Sequence, residues 1–129
     1  MTPAAFAKLA LALAGAVQGS HHGTWDFRAG VGGGIFATMG YPDKDYAMVK
    51  LTPDQQRLLI EAEPAIFVPV KGKWGLGGAT NVRLAALDVP TARSALAMAW
   101  QNISAASKRA ARADGRGAAR PISRRAKAG

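Results

Sequence analysis

Three short apolar runs in the first half of the chain predict the strands of a small sheet. They cover Thr24 to Arg28, Ile35 to Met39 and Tyr46 to Leu51. The breaks between them are rich in Gly, Pro and Asp, which supply turn dihedrals, so consecutive runs are expected to pair as antiparallel strands. In the third run, apolar side chains alternate with a set that includes Lys50, which places Lys50 on the opposite face of the strand.

Two further strands are expected in the second half, at Ile66 to Val70 and at Asn81 to Leu87. In the second of these, one face carries Val82, Leu84 and Ala86 and the other carries Asn81, Arg83 and Ala85. The segment between them, Lys71 to Gly78, is rich in glycine and predicts an exposed, basic, flexible hairpin. The glycine run Gly30 to Gly34 predicts a tight hairpin in the same way.

Helices are expected to cover one face of this sheet, and the first begins near the N-terminus. Thr2 and Pro3 form a hydroxyl cap followed by a proline at the first helical position. Apolar residues then recur at steps of three and four as far as Val17, which predicts one continuous helix. A loop containing His21 and His22 follows it.

Two more helices are expected later in the chain. One begins at Thr52, where Gln55 completes a capping box, and ends at Pro64. Its apolar stripe is Leu58, Leu59 and Ala62. The other begins after Asp88, and its buried face comprises Ala92, Leu96, Ala99, Trp100 and Ile103. We expect Trp100 and also Trp25 to lie in the core.

Charge divides the chain into two parts. The 129 residues carry 17 Lys and Arg against 8 Asp and Glu, and eight of those cations but only one acid lie in residues 105–129. We therefore expect one folded domain over residues 1–104 and a basic tail over 105–129 that is disordered when free, because it cannot bury enough apolar surface to offset the entropy of ordering. The last helix is expected to continue towards Arg112 until Asp114 and Gly115 interrupt it.

Composition also narrows the class of protein. The chain has no cysteine, which excludes disulfides and thiolate chemistry and favours a cytoplasmic location. The apolar run Ala4 to Val17 has Lys8 inside it and no basic segment before it, so it is unlike a signal peptide, and it is too short to span a bilayer. We expect no association with membranes and a monomeric protein.

Few residues offer catalytic chemistry. The glycine-rich runs at Gly30 and Gly75 lack the third glycine of G-x-G-x-x-G, so neither predicts a nucleotide loop. His21 and His22 are the only histidines, and Glu61 and Glu63 lie two apart on a helix, where they point to different sides. We therefore predict no enzymatic activity, no cofactor and no metal site.

Several motifs, taken in order, resemble those of the MmcQ/YjbR family. They are Gly23-Thr24-Trp25-Asp26-Phe27-Arg28, Ile35-Phe36-Ala37-Thr38-Met39-Gly40-Tyr41-Pro42-Asp43, Lys50-Leu51-Thr52-Pro53, Trp74-Gly75, Gly78-Ala79-Thr80, Val82-Arg83-Leu84 and Ala99-Trp100. The resemblance covers about residues 5–104 and implies an α+β, frataxin-like (CyaY-like) fold, with an antiparallel sheet flanked by helices and DNA binding through a double wing of hairpins. One departure is Gly34, which stands where the family usually has a basic residue before its I-F-A-T strand.

These observations together predict a DNA-binding protein. Binding of nucleic acid requires cations that neutralise phosphates, often beside an aromatic group that can stack. The candidates in the folded part are Arg28, Lys50, Lys71, Lys73, Trp74 and Arg83. Those in the tail are Lys108, Arg109, Arg112, Arg116, Arg120, Arg124, Arg125 and Lys127. We expect phosphate contacts largely without readout of sequence, to DNA or also to RNA.

A second interpretation explains the same residues without nucleic acid. The cations of the folded part would then form a solvated polar face, with Trp74 half packed under its own loop. The protein would be a protein-interaction or small-ligand-binding module of the same fold. The tail would serve solubility or association with RNA.

Overall fold

The computed structural model describes residues 1–21, 23–40 and 43–119, with His21 and residues 107–119 described by their backbone alone. The elements, in chain order, are α1 (Pro3–Leu11), β1 (Val17–His21), β2 (Thr24–Arg28), β3 (Ile35–Met39), β4 (Tyr46–Lys50), α2 (Pro53–Ala62), β5 (Phe67–Pro69), α3 (Lys73–Leu76), β6 (Ala79–Arg83), a 3₁₀ turn (Leu84–Ala86) and α4 (Val89–Ala119).

The strands form one six-stranded antiparallel sheet in the order β1-β2-β3-β4-β6-β5. The three strands predicted in the first half are confirmed, and so is the glycine-rich hairpin that joins β2 to β3. The predicted α+β class, with helices packed on an antiparallel sheet, is therefore confirmed. In the described part of the chain, no helix combines the length and apolarity needed to cross a membrane.

The first helix is shorter than predicted, because α1 ends at Leu11 and Val17 begins a strand. β1 pairs with β2 over five residues, from Val17 opposite Arg28 to His21 opposite Thr24. The helical spacing of Val17 was coincidental: pairing along the edge of the sheet satisfies backbone hydrogen bonds that a free helix end would leave open. His21 therefore lies in a strand and not in the predicted loop, whereas His22 is outside the described residues.

One face of the sheet is covered by helices. Phe6 of α1 meets Phe27 of β2 edge to face with ring centroids 6.5 Å apart, and both side chains are buried. α4 packs against β3 and β4 and also against α1, so the first and last helices share this face. The pairing of β2 with β3 contains a bulge: Phe27 pairs with Ala37 and Arg28 with Ile35, so Phe36 has no partner in β2. The Phe36 side chain is also fully buried.

The two tryptophans assigned to the core differ in their burial. Trp100 packs against the core while remaining partly exposed, and its indole N–H donates to the Ala14 carbonyl at 3.1 Å. Trp25 is 49% exposed, so its assignment to the core was wrong. Its strand, β2, lies next to the edge strand β1, where Trp25 pairs with Ser20.

The sixth strand also departs from the predicted pattern. β6 begins at Ala79 and ends at Arg83, so the predicted strand from Asn81 to Leu87 was shifted by two residues at its start. The chain then turns through Leu84–Ala86, where the amide of Leu84 donates to the carbonyl of Asp45. Leu84 is buried and Ala86 is exposed, so the predicted alternation does not continue beyond Arg83.

The helix α2 begins as predicted but packs differently. The Thr52 side chain accepts from the Gln55 amide at 3.1 Å, and the Gln55 side chain accepts from the Thr52 amide at 2.9 Å, so the capping box is confirmed. Leu58 is 62% exposed, however, whereas Leu59 and Ile60 contact the core. The stripe is displaced because α2 contacts the edge strand β5, where only a narrow part of the helix is covered.

We predict that Thr52→Ala lowers the free energy of unfolding by about 1 kcal/mol, the usual cost of losing a side-chain N-cap. Thr52→Ser is the matched control, since serine keeps the accepting hydroxyl and should leave stability nearly unchanged. Urea unfolding of the two variants and the parent measures the difference. Equal stability of all three would show that the capping box contributes nothing.

The last helix is longer than predicted. It begins after Asp88, whose carboxylate accepts from the Thr91 amide at 2.9 Å, and hydrogen bonds from the side chain and amide of Thr91 lower the pKa of the Asp88 carboxyl. α4 then runs through Asp114 and Gly115 to Ala119, so the predicted interruption is wrong. A single glycine costs a helix only about 1 kcal/mol relative to alanine, and the neighbouring Ala and Arg residues are good helix formers. Residues 120–129 of the predicted disordered tail lie outside the described residues.

Candidate functional site

Lys50 lies on the face of the sheet opposite α1 and α4. In β4, Ala47 and Val49 are fully buried, whereas the alternating Tyr46, Met48 and Lys50 remain partly exposed. The prediction that Lys50 points away from the core side of its strand is therefore confirmed. Lys50 pairs with Ala79, the first residue of β6, so it lies beside the end of the loop that joins β5 to β6.

That loop is an anchored structure, so the predicted flexible hairpin is wrong in this respect. β5 and β6 are antiparallel neighbours, but the connection between them contains the helical turn α3. The Gln56 side-chain amide reaches from α2 and donates at 3.0 to 3.1 Å to the Gly75 carbonyl, the Ala79 carbonyl and the Thr80 hydroxyl. The prediction of a flexible loop was based on its glycine content alone. The sequence does not reveal the hydrogen bonds from Gln56, which lies 19 to 24 residues before its partners.

Two glycines fix the loop against its neighbours by close backbone approach. A Cβ placed on Gly75 would lie 1.7 Å from the Val70 carbonyl oxygen, and one on Gly78 would lie 2.0 Å from the Leu51 carbonyl oxygen. Gly78 also has φ of +113°, a conformation that residues with a Cβ rarely adopt. The loop therefore holds the side chains of α3 in a fixed place beside β4.

The loop and β4 form a groove next to Trp74. Its volume is about 350 Å³, and its lining residues are Lys50, Leu51, Lys73, Trp74, Gly77 and Ala79. Trp74 is 69% exposed, so the interpretation that packs it under its own loop is not supported. The ammonium of Lys50 lies 5.9 Å from the centroid of the Trp74 ring, within the range of a cation–π contact.

The lysines of this groove have no acidic partner in the described part of the chain. There, the salt bridges join Arg28 to Asp26 and Arg57 to Asp54, and none involves Lys50, Lys71 or Lys73. Lys71 and Lys73 are exposed and Lys50 is partly buried. The positive charge at the groove is therefore not neutralised by neighbouring carboxylates and is open to an anion.

Arg28 was predicted as a phosphate contact, but its charge is already paired. Its guanidinium donates to both oxygens of Asp26, at 2.9 and 3.2 Å, and the Asp26 side chain is fully buried. This hydrogen bond and the carboxylate charge raise the pKa of Arg28 above its ordinary value. A Cβ on Gly19 would lie 2.8 Å from the Asp26 Oδ1, so the pair lies over the bare backbone of β1.

Arg83 is exposed but lies apart from the groove. It is four residues from Ala79 along β6, which corresponds to about 13 Å of extended strand. Its guanidinium donates to the Ala65 carbonyl at 3.4 Å. Of the predicted cations in the folded part, the structure brings Lys50 and Lys73 together around Trp74, places Lys71 in the same loop and leaves Arg28 and Arg83 outside the groove.

The tail cations fall into two groups. Lys108, Arg109, Arg112 and Arg116 belong to α4. Arg109, Arg112 and Arg116 are separated by three and four positions, and Lys108 precedes Arg112 by four, so the positions share one side of the helix. For these four residues the structure describes the backbone and not the side chains. Arg120, Arg124, Arg125 and Lys127 lie outside the described residues altogether.

Several residues that shape the groove were missed from the sequence. Leu51 was interpreted only as a strand residue, Ala79 was placed in no strand because the predicted strand began at Asn81, and Gln56 was interpreted only as part of a helix. One missed contact did carry a signal, since Asp26 and Arg28 lie two apart in a predicted strand and so share a face. The contacts of Gln56 carried none, because they depend on how α2 packs.

The fold and the groove define an α+β protein that presents two lysines and a tryptophan beside an antiparallel sheet. Comparison with protein-family models, with curated proteins and with solved structures gave no match to this chain.

Proposed function

We propose that this is a non-enzymatic DNA-binding protein that contacts phosphates through the loop between β5 and β6 and through its basic C-terminal segment, largely without readout of sequence. The observation that carries the proposal is the groove beside Trp74, where Lys50 and Lys73 have no acidic partner among the described residues. Lysine ammonium groups in this situation gain by releasing the counterions of a phosphate backbone.

The C-terminal segment supports the same function independently of the groove. Residues 105–129 carry eight cations and one acid, whereas the rest of the chain is nearly balanced. Such segments add affinity for polyanions through charge alone. The groove and the segment together supply a local contact and a long-range attraction.

Membership of the MmcQ/YjbR family, with its frataxin-like fold, is part of the proposal. It is supported by the packing of α1 and α4 on one face of an antiparallel sheet and by the order of the motifs quoted above. The double-wing mode would assign the β5–β6 loop as one wing. Under this proposal the protein acts in the cytoplasm as a monomer, and RNA is a possible second ligand of the same cations.

A protein-interaction module of the same fold is the second candidate, and one observation favours it. Leu76 is 80% exposed and lies two residues from Trp74, so the loop presents two apolar side chains to solvent. Exposed apolar groups of this kind are used at protein interfaces. The lysines would then only border the contact.

The test compares affinities for duplex DNA after the contribution of the tail has been removed. In a tail-neutral parent, the eight tail cations are replaced by glutamine, which preserves length and helix propensity. We predict that adding Lys73→Ala and Trp74→Ala lowers its affinity about tenfold, the equivalent of about 1.4 kcal/mol. Fluorescence anisotropy in about 50 mM salt, where phosphate contacts are strong, measures the change.

The matched control in the same parent is Lys8→Ala with Trp25→Ala. It removes one exposed lysine and one exposed tryptophan that lie outside the groove. Its affinity should equal that of the parent. If the Lys73 and Trp74 variant also binds as the parent does, the groove is not a DNA contact and the interaction module becomes the better explanation.

A further inference from the structure

We infer that the groove beside Trp74 accepts an unpaired nucleobase, so that it favours single-stranded nucleic acid over duplex. This inference rests on the proposed function and names its ligand more closely. Its basis is the combination of an exposed aromatic ring, an apolar floor and a cation on either side.

The ring of Trp74 is available for stacking. Its side chain is 69% exposed and belongs to α3, in the loop between β5 and β6. In a duplex, the faces of the bases are covered by their neighbours, so only an unpaired base can lie flat against an indole. A duplex would therefore contact this loop through its sugar-phosphate backbone, and the ring would stack on no base.

The groove continues the apolar surface of the ring. Leu51 and Ala79 line it and are themselves mostly buried, so they form a firm floor. Its volume of about 350 Å³ lies at the lower end of the range of small-molecule sites, about 300 to 1,000 Å³. These dimensions favour a single base with its sugar over a larger ligand.

The two lysines flank the groove from different elements. Lys50 belongs to β4 and Lys73 to α3, and both line the cavity. A base on Trp74 would bring the phosphates on its two sides towards these ammonium groups. The Lys50 ammonium, 5.9 Å from the ring centroid, can move from the indole to a phosphate at small cost, because a cation–π contact at an exposed site contributes little.

The site is also held in shape without a ligand. The close approaches of Gly75 to Val70 and of Gly78 to Leu51, together with the hydrogen bonds of Gln56, fix the loop that carries Trp74. A preformed site avoids much of the entropy cost of ordering on binding. Binding therefore does not require the loop that carries Trp74 to become ordered first.

Recognition should not depend on the identity of the base. The side chains that line the groove supply lysine ammonium groups and an indole N–H, all of which are donors and none an acceptor. Every nucleobase presents at least one acceptor to such donors, so this set of side chains discriminates little between bases. The groove is therefore suited to stacking on any unpaired base.

The experiment separates bases from phosphates by using two single strands of equal charge. The full-length protein is titrated into labelled oligothymidylate of roughly 12 nucleotides, within the range of single-strand site sizes, and into an abasic strand of the same length. We expect the strand with bases to bind about tenfold more tightly, as stacking of one base allows. The ratio of the two affinities cancels the contribution of the tail, which acts only on phosphates.

Three variants of the full-length protein locate the effect. Trp74→Ala should bind both strands equally, whereas Trp74→Phe should retain most of the tenfold preference because phenylalanine can still stack. Trp25→Ala removes an exposed tryptophan outside the groove and should leave the preference unchanged. Trp74 is exposed, so its replacement should not affect folding, and far-UV circular dichroism checks this.

Each contrary result has a distinct meaning. Equal binding of the two strands by the unaltered protein, or a preference that survives Trp74→Ala, overturns the inference while leaving phosphate binding intact. Competition by thymidine monophosphate at the same molar concentration as the oligonucleotide overturns it in favour of a free nucleotide. Absence of binding to both strands and to duplex DNA of the same length would refute the proposed function itself.

Discussion

Replacing the eight cations of residues 105–129 by glutamine is expected to lower affinity for duplex DNA by about a hundredfold or more in about 50 mM salt. The reason is counterion release, in which each phosphate neutralised contributes about 0.9 to the slope of log affinity against log salt. If the intact protein neutralises about five to seven phosphates, its slope is roughly −5 to −6, and losing the tail should reduce it to roughly −2 or −3.

A charge-preserving variant provides the control. Exchanging every tail Arg for Lys and every tail Lys for Arg keeps the charge and alters only hydrogen-bond geometry, so affinity and slope should remain close to those of the parent. Anisotropy titrations at several salt concentrations measure both quantities. A slope that is unchanged by the glutamine variant would show that the tail does not touch phosphate and serves solubility alone.

Gly78→Ala is expected to destabilise the folded protein by about 3 kcal/mol or more. A φ of +113° strains any residue that has a Cβ, and a strained backbone costs about 1 to 3 kcal/mol. The added methyl would also meet the Leu51 carbonyl oxygen at 2.0 Å, which forces β4 and the β5–β6 loop apart. Gly75→Ala should have a similar effect through its contact with Val70.

Gly77 is the matched control in the same loop. Its φ is −82° and a Cβ there would be no closer than 3.6 Å to its neighbours, an ordinary contact distance. Gly77→Ala should therefore leave stability unchanged or raise it by up to about 1 kcal/mol. Urea denaturation of the three alanine variants tests the contrast. If Gly77→Ala proved as damaging as Gly78→Ala, the close approach to Leu51 would not be the cause.

Local signals predicted much of the fold because they act over a few residues. The capping box of Thr52 and Gln55, the cap at Asp88 and the alternation around Lys50 each depend on neighbours three or fewer positions away. The strands from Thr24 to Lys50 were found for the same reason. Such patterns survive in the folded state because tertiary packing reinforces them.

The errors arose where tertiary contacts overrule local pattern. Val17 continues a helical stripe, yet it pairs with Arg28 in a strand because the edge of the sheet offers backbone partners. Trp25 alternates as a core residue would, but it lies on the strand next to the edge of the sheet and is half exposed. Neither outcome is encoded within a few residues of the position concerned.

The candidate site was predicted in its charges but not in its shape. Lys50, Lys73 and Trp74 were identified from residue type, and the cation–π contact between Lys50 and Trp74 depends on the pairing of β4 with β6. Arg28 was chosen for its charge. Its pairing with the buried Asp26 could be predicted only by noting that residues two apart in a strand lie on the same face. Charge is visible in a sequence, but its neutralisation is a property of the fold.

The length of α4 imposes a spacing on any extended ligand. Asn102 donates to the Lys50 carbonyl, so this point of the helix lies beside the groove, and Ala119 is 17 residues further along. At 1.5 Å per residue this separation is about 26 Å, which corresponds to roughly seven or eight base pairs of duplex at 3.4 Å each. Fragments shorter than that would engage the groove or the far end of the helix but not both, so affinity should rise sharply once a ligand is long enough to bridge the two.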